Sequence, residues 1–138
     1  VTPVRMAMLA CAFANGGSMM LPYMVDEVVS PGGVVLRKAE PVKWREVTTR
    51  QRAGLISSFM ENAVQNGTGS GAAVPGVRVT GKTGTAENAS GAEHGWFIGT
   101  AELPGRTIAF CIIVENSGGG GSAAAPIARQ LIINLQNR

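Results

Sequence analysis

The sequence predicts an α+β fold: an antiparallel sheet, with three strands in this chain, flanked by helices. Three observations predict it. Apolar residues recur at helical spacing near both ends and in the middle of the chain, strand-like runs follow one another between residues 77 and 115, and turn signals separate those runs. The length of 138 residues leaves room for one domain at roughly 150 residues per domain.

Thr2 followed by Pro3 supplies an N-cap and a residue preset for a first helical turn, and Asn15, Gly16 and Gly17 supply stop signals, so residues 3–14 are predicted helical. Apolar residues cover every side of this segment, which predicts burial over most of its surface. Two β-rich runs, 24–29 and 34–37, flank Pro31, Gly32 and Gly33 and predict a hairpin. Thr48 with Gln51 three residues on fits a capping box. The helix that follows carries Ala53, Ile56, Phe59, Met60, Ala63 and Val64 at helical spacing and stops at Asn66 and Gly67.

After a glycine-rich loop at 67–71, residues 77–87 alternate as a strand does. Two further strands, 94–101 and 106–115, are joined by a turn around Leu103, Pro104 and Gly105, and the second has a β-branched centre. An antiparallel meander is the economical topology. Residues 117–121 read as a flexible connector that needs no ligand. Ser122 then caps a last helix with an apolar stripe of Ala124, Ile127, Ala128, Leu131 and Leu135, in which Pro126 lies early enough to be tolerated.

Composition removes several classes of function. Hydrophobic residues at 45% and charged residues at only 15% argue against disorder. Twelve basic against nine acidic residues give +3, too small and scattered for a nucleic-acid footprint. The densest basic stretch, Arg37, Lys38, Lys43, Arg45, Arg50 and Arg52, reads as solvated surface. One histidine and two cysteines exclude a His-rich zinc site and any CxxC pair, and no metal or other cofactor is expected. Cys11 and Cys111 lie in apolar runs and are predicted to be buried free thiols, with a disulfide between them left open. The longest apolar run, Met6 to Ala14, is far short of the roughly 20 residues that span a bilayer. The chain starts at Val1 with no signal peptide in view, which suggests a piece of a longer protein.

Two motifs compete over residues 76–83. GVRVTGKT fits the phosphate-loop pattern GxxxxGK(S/T) letter for letter. A phosphate cradle needs converging N–H groups and a helix starting at the lysine. Val77, Val79 and Thr80 instead favour a strand, and Gly84, Asn88, Ser90 and Gly91 would disrupt such a helix. The better reading is one extended strand carrying Lys82, Thr83, Gly84 and Thr85 beside a cleft.

KTGTAE at 82–87 resembles the third active-site motif of the penicillin-binding transpeptidases, which share their fold with serine β-lactamases. Other blocks resemble that family in the same order: VTPVRMA at 1–7, ANGG at 14–17, GTGSGA at 67–72, HGWFIG at 94–99 and VENSGGGGSAAAPIA at 114–128. The similarity is strongest to the last third of a class B, monofunctional transpeptidase domain. It implies a serine D,D-transpeptidase acting on the D-Ala-D-Ala end of a peptidoglycan stem peptide and acylated by β-lactams. Residues 1–138 would then be the C-terminal portion of the domain.

The resemblance gives each residue of the motif a role. Strand alternation puts the Thr83 and Thr85 hydroxyls on one face, where they can bond the carboxylate of a stem peptide or β-lactam. The Thr85 N–H would join the oxyanion hole. Lys82 would bring positive charge to the anionic substrate and to the proton-shuttling groups. Gly84 would let an extended ligand approach and pair with the strand. Glu87, His94, Trp96 and Phe97 are weaker candidates: His94 reads as a hydrogen-bonded structural histidine, and Trp96 with Phe97 as core or cleft wall.

Neither the SxxK motif that carries nucleophile and activating lysine, nor the SxN motif opposite, occurs in the 138 residues. In family order both precede VTPVRMA. The expected partners are therefore the remainder of the transpeptidase domain, the peptidoglycan stem peptide and β-lactams, at the outer face of a bacterial membrane, through an anchor outside this sequence. The strand at 106–115 would pair with a strand from that remainder and expose an apolar edge without it. A β-lactamase or β-lactam sensor, and a folded fragment with no catalysis of its own, stay open as alternatives.

Overall fold

The computed structural model describes residues 1–89 and 91–137. Helix α1 (Pro3–Ala14) begins where Thr2 Oγ1 accepts from the Arg5 N–H at 3.4 Å, and it ends with Asn15 N–H donating to the Cys11 carbonyl. Gly16 and Gly17 then turn the chain with φ of 61° and 93°, values that a side chain disfavours. Only Ala10 and Ala12 of α1 are buried, so the expectation of burial on most of its surface fails. The helix packs on the second and third strands of the main sheet and also touches the next helix and the first short strand, and most of its residues are only partly covered.

Two small ribbons follow. Strands β2 (Glu27–Val29) and β3 (Val35–Lys38) form the predicted hairpin around Pro31 to Gly33. Strand β1 (Ser18–Met20) pairs antiparallel with β4 (Lys43–Glu46), which sequence reading missed because the partners are short and far apart in the chain. The basic stretch runs through β3 and β4 into the first turn of the next helix, and its residues are solvent-exposed as anticipated. Helix α2 (Arg50–Asn66) is capped by Thr49, whose hydroxyl accepts from Arg52 N–H, and not by Thr48. Thr49 is the last residue with extended backbone before the helix, φ −73° and ψ 156°, so the cap falls one residue later than predicted.

The main sheet is the predicted meander of β5 (Arg78–Ala86), β6 (His94–Leu103) and β7 (Arg106–Val114), in that order. Pro104 and Gly105 close the second turn, with φ of 75° at the glycine. Helix α3 (Gly120–Gln136) is capped by Gly119; Ser122, predicted as the cap, lies inside the helix and donates to the Gly119 carbonyl at 3.0 Å.

Alternation places Val79, Phe97, Ala101 and Phe110 on one face of the sheet, where they pack against Ala124, Ala125, Ala128 and Ile132 of α3 and Val64 of α2. Helix α1 lies on the opposite face, beside Trp96, Ile98 and Ala109. That face also buries Thr80 and Thr100, whose hydroxyls bond each other at 2.7 Å and so avoid the cost of burial unpaired. Arg78 bridges Glu61 of α2 at 2.9 Å and Glu102 of β6 at 2.6 Å, fixing α2 to the start of β5. Both cysteines are free and only half-buried, so the thiol prediction holds for pairing but not for full burial. No helix among the described residues is long and apolar enough to cross a membrane.

Candidate active site

Strand β5 is an edge strand, so the site is built on backbone groups that no neighbouring strand takes. The register pairs Lys82 with Ile98, Thr83 with Phe97, Gly84 with Trp96 and Thr85 with Gly95. The Thr83 carbonyl accepts from Lys82 Nζ at 2.7 Å. A strand residue's N–H and C=O point to the same side, and alternate residues repeat that direction. Thr83 and Thr85 therefore both turn their backbone groups to the free edge, while Gly84 turns toward β6.

Strand alternation also puts the Thr83 and Thr85 side chains on the α3 face, as the sequence predicted. Thr83 Oγ1 lies 2.7 Å from Thr68 Oγ1 in the loop after α2. A methyl group at Gly119 would stand 3.7 Å from Thr85 Oγ1, and one at Gly121 would stand 3.8 Å from Thr83 Cγ2 and 2.7 Å from the Thr68 carbonyl oxygen. The run at 117–121, read from sequence as a flexible connector, is thus a packed wall against both threonines. Gly120 is buried where a Cβ would meet the Trp96 carbonyl oxygen at 2.0 Å and that of Gly84 at 2.5 Å. Only a glycine permits this approach, which sets α3 against the strand pair.

A cleft of about 280 Å³ lies on the α1 face of β5 and β6, lined by Lys82 to Ala86 and by Trp96, Ile98, Met6 and Val1, across the sheet from the two threonine hydroxyls. Lys82 and Thr85 are exposed, and Thr83 and Gly84 are half-buried. Trp96 is a cleft wall with its indole Nε1 buried and unpaired among the described residues, and Phe97 is core. His94 Nδ1 accepts from Asn116 N–H at 3.0 Å, tying β6 to the end of β7, which supports its reading as a structural histidine. Glu87 is exposed beyond the end of β5. The phosphate-loop reading fails, since residues 78–86 are one strand and no helix starts at Lys82. Thr68 and the packing of the glycine run were missed; neither has a local signal beyond the GTGSGA and VENSGGGGSAAAPIA blocks in which they lie.

The arrangement offers an outward N–H at a strand edge, two hydroxyls on one face and an ammonium group, a set suited to an anionic, extended acyl donor. Residues 1–133 match the family model for the penicillin binding protein transpeptidase domain. The chain belongs to this family. The chain is 33% identical over 141 residues to the peptidoglycan D,D-transpeptidase PbpA of Mycobacterium tuberculosis, covering 96% of this chain and 28% of the relative. It is 31% identical over 142 residues to the stage V sporulation protein D of Bacillus subtilis, covering 98% of this chain and 22% of the relative. The solved structure of penicillin-binding protein A from M. tuberculosis as an imipenem acyl-enzyme complex superposes with a TM-score of 0.86 at 32% identity, over 98% of this chain and 31% of that one. The fold is therefore part of a penicillin-binding transpeptidase domain, and the chain spans less than a third of the length of these relatives.

Proposed function

We propose that residues 1–138 form the C-terminal portion of a transpeptidase domain and supply one wall of the active site of a peptidoglycan D,D-transpeptidase. The observation that carries this reading is the edge geometry of β5, in which the Lys82 ammonium takes the Thr83 carbonyl and the Thr85 N–H consequently points to the free edge of the strand. A serine from polypeptide outside these residues attacks the carbonyl of the penultimate D-Ala. The Thr85 N–H donates to the developing oxyanion, a contribution of about 3 kcal/mol for one preorganised donor. The bond to the terminal D-Ala breaks and that residue leaves with a proton on its amine. An acceptor amine on a second stem peptide then attacks the acyl-enzyme, forms the crosslink and returns the serine.

Thr83 and Thr85 hydroxyls receive the donor's terminal carboxylate, Lys82 offsets its charge, and Gly84 leaves room for the donor to lie along the strand. A β-lactam enters by the same contacts and acylates the same serine. The nucleophile and its lysine come from an SxxK motif and the opposite wall from an SxN motif, both outside this sequence, with the whole held at the outer face of the cytoplasmic membrane by an anchor elsewhere in the protein. Names of the relatives, which include D,D-transpeptidases and β-lactam acyl-enzymes, support the reading.

Intact-mass spectrometry of the full-length protein incubated with benzylpenicillin tests it. The expected adduct lies on a serine outside residues 1–138, and Lys82→Ala slows its formation by about a hundredfold, the order seen when charged or oxyanion-stabilising groups are removed. An adduct on a serine within these residues, or an unchanged rate in Lys82→Ala, would overturn the proposal.

A further inference from the structure

We infer that Thr68, in the loop between α2 and β5, is a positioning residue that fixes the direction of the Thr83 hydroxyl proton toward the bound carboxylate. The inference rests on the reading above that Thr83 receives an anionic group. The two hydroxyl oxygens lie 2.7 Å apart, and neither has another hydrogen-bond partner among the described residues. Each hydroxyl carries one proton. A carboxylate brings none, so Thr83 must donate to it, and the proton between the two threonines must then come from Thr68. Only one arrangement satisfies all three groups: Thr68 donates to Thr83, and Thr83 donates to the ligand. Such a chain polarises both bonds in the same sense.

Thr68 is itself held in place from three sides. Its carbonyl oxygen packs on the Gly121 position at the start of α3, Gly69 N–H donates to the Ala63 carbonyl of α2 at 2.9 Å, and a side chain at Gly69 would press on the Phe97 ring at 3.3 Å. The loop backbone is thus locked between α2, the core and α3 while the Thr68 side chain reaches the strand. Without its hydroxyl, Thr83 keeps a free rotor whose proton has no preferred direction.

The test measures acylation of the full-length protein by benzylpenicillin and by its methyl ester, which lacks the carboxylate charge. Thr68→Val should slow acylation by benzylpenicillin roughly tenfold and leave the ester within about twofold, the loss expected for one hydrogen bond in a charge-assisted chain. Thr68→Ser should behave as wild type. In a Thr83→Val background, Thr68→Val should cost nothing further, because the two residues act as one unit. Thr68→Ala repeats the comparison without the valine methyl, and melting temperatures confirm that each variant folds. Equal losses with both probes, or an additive loss in the double variant, would overturn the positioning role: the first is a general packing effect, the second a direct contact of Thr68 with the ligand. A wild-type protein that benzylpenicillin does not acylate removes the functional reading and the inference with it; acylated wild type with an unaffected Thr68→Val removes the inference alone.

Discussion

The ring of Phe97 fills the space where Gly81 would carry a side chain. A Cβ at Gly81 would lie 2.1 Å from Cζ of that ring and within 2.9 Å of two more ring atoms. Phe97 is fully buried and stacked on Phe110 with centroids 6.1 Å apart, so it has nowhere to retreat. The glycine immediately before Lys82 therefore sets how closely β5 approaches the core, and with it the height of the proposed site.

Gly81→Ala should destabilise the fold by about 2–3 kcal/mol, as overpacking of a filled core does. Urea denaturation of the folded protein measures it. A loss no larger than that of a surface substitution would mean that the ring can move aside and that the contact does not set the strand's position.

At Gly120 the ordinary sign of a helix substitution should reverse. Glycine to alanine within a helix normally stabilises by roughly 1 kcal/mol. Here the new methyl would collide with the Trp96 and Gly84 carbonyl oxygens, backbone atoms that cannot rotate away. We expect Gly120→Ala to lower stability by about 2 kcal/mol and to slow β-lactam acylation by displacing the glycine wall; melting temperature and acylation rate together check it.

Glu46 should make the β1–β4 ribbon sensitive to acid. Hydrogen bonds from Lys43 and from Ser18 hold its carboxyl below the usual carboxylate range. A folded pKa below the unfolded one means that the stabilisation is present above the unfolded pKa and is lost as pH falls through the folded one. The group is fully exposed, so the effect is local. An NMR titration should show the Glu46 side chain protonating at lower pH than a free glutamate, together with loss of ribbon signals, and Lys43→Ala should move it part of the way back, the Ser18 hydrogen bond remaining.

Burial raises the thiol pKa of both Cys11 and Cys111. Only the thiolate reacts, so iodoacetamide at mildly alkaline pH should modify both more slowly in the native protein than in denaturant. Mass spectrometry without reductant should find two adducts after denaturation. None would mean that the pair is oxidised.

Much of the fold was legible because its signals are local. Thr2 with Pro3, the stripe of α2, the alternation in β5 to β7 and the Pro104–Gly105 turn each act over a few residues, and their elements appear where predicted. Caps were less exact: Thr49 and Gly119 replace Thr48 and Ser122, because neighbouring packing decided which residue was still extended. The KTGT strand and the shared face of Thr83 and Thr85 could be read from the motif and the period of two.

Other features depended on segments brought together by folding. Ser18 opposite Glu46, Thr68 beside Thr83, and Gly120 against Trp96 join positions with no sequence pattern linking them. The sequence by itself determined which residues alternate and which turns the backbone accepts, since sterics and periodicity are properties of neighbours along the chain. The tertiary structure alone decided which hydroxyl Thr83 meets and which glycines pack against Thr83 and Thr85, because hydrogen bonds and close contacts form between whichever groups packing has brought within reach.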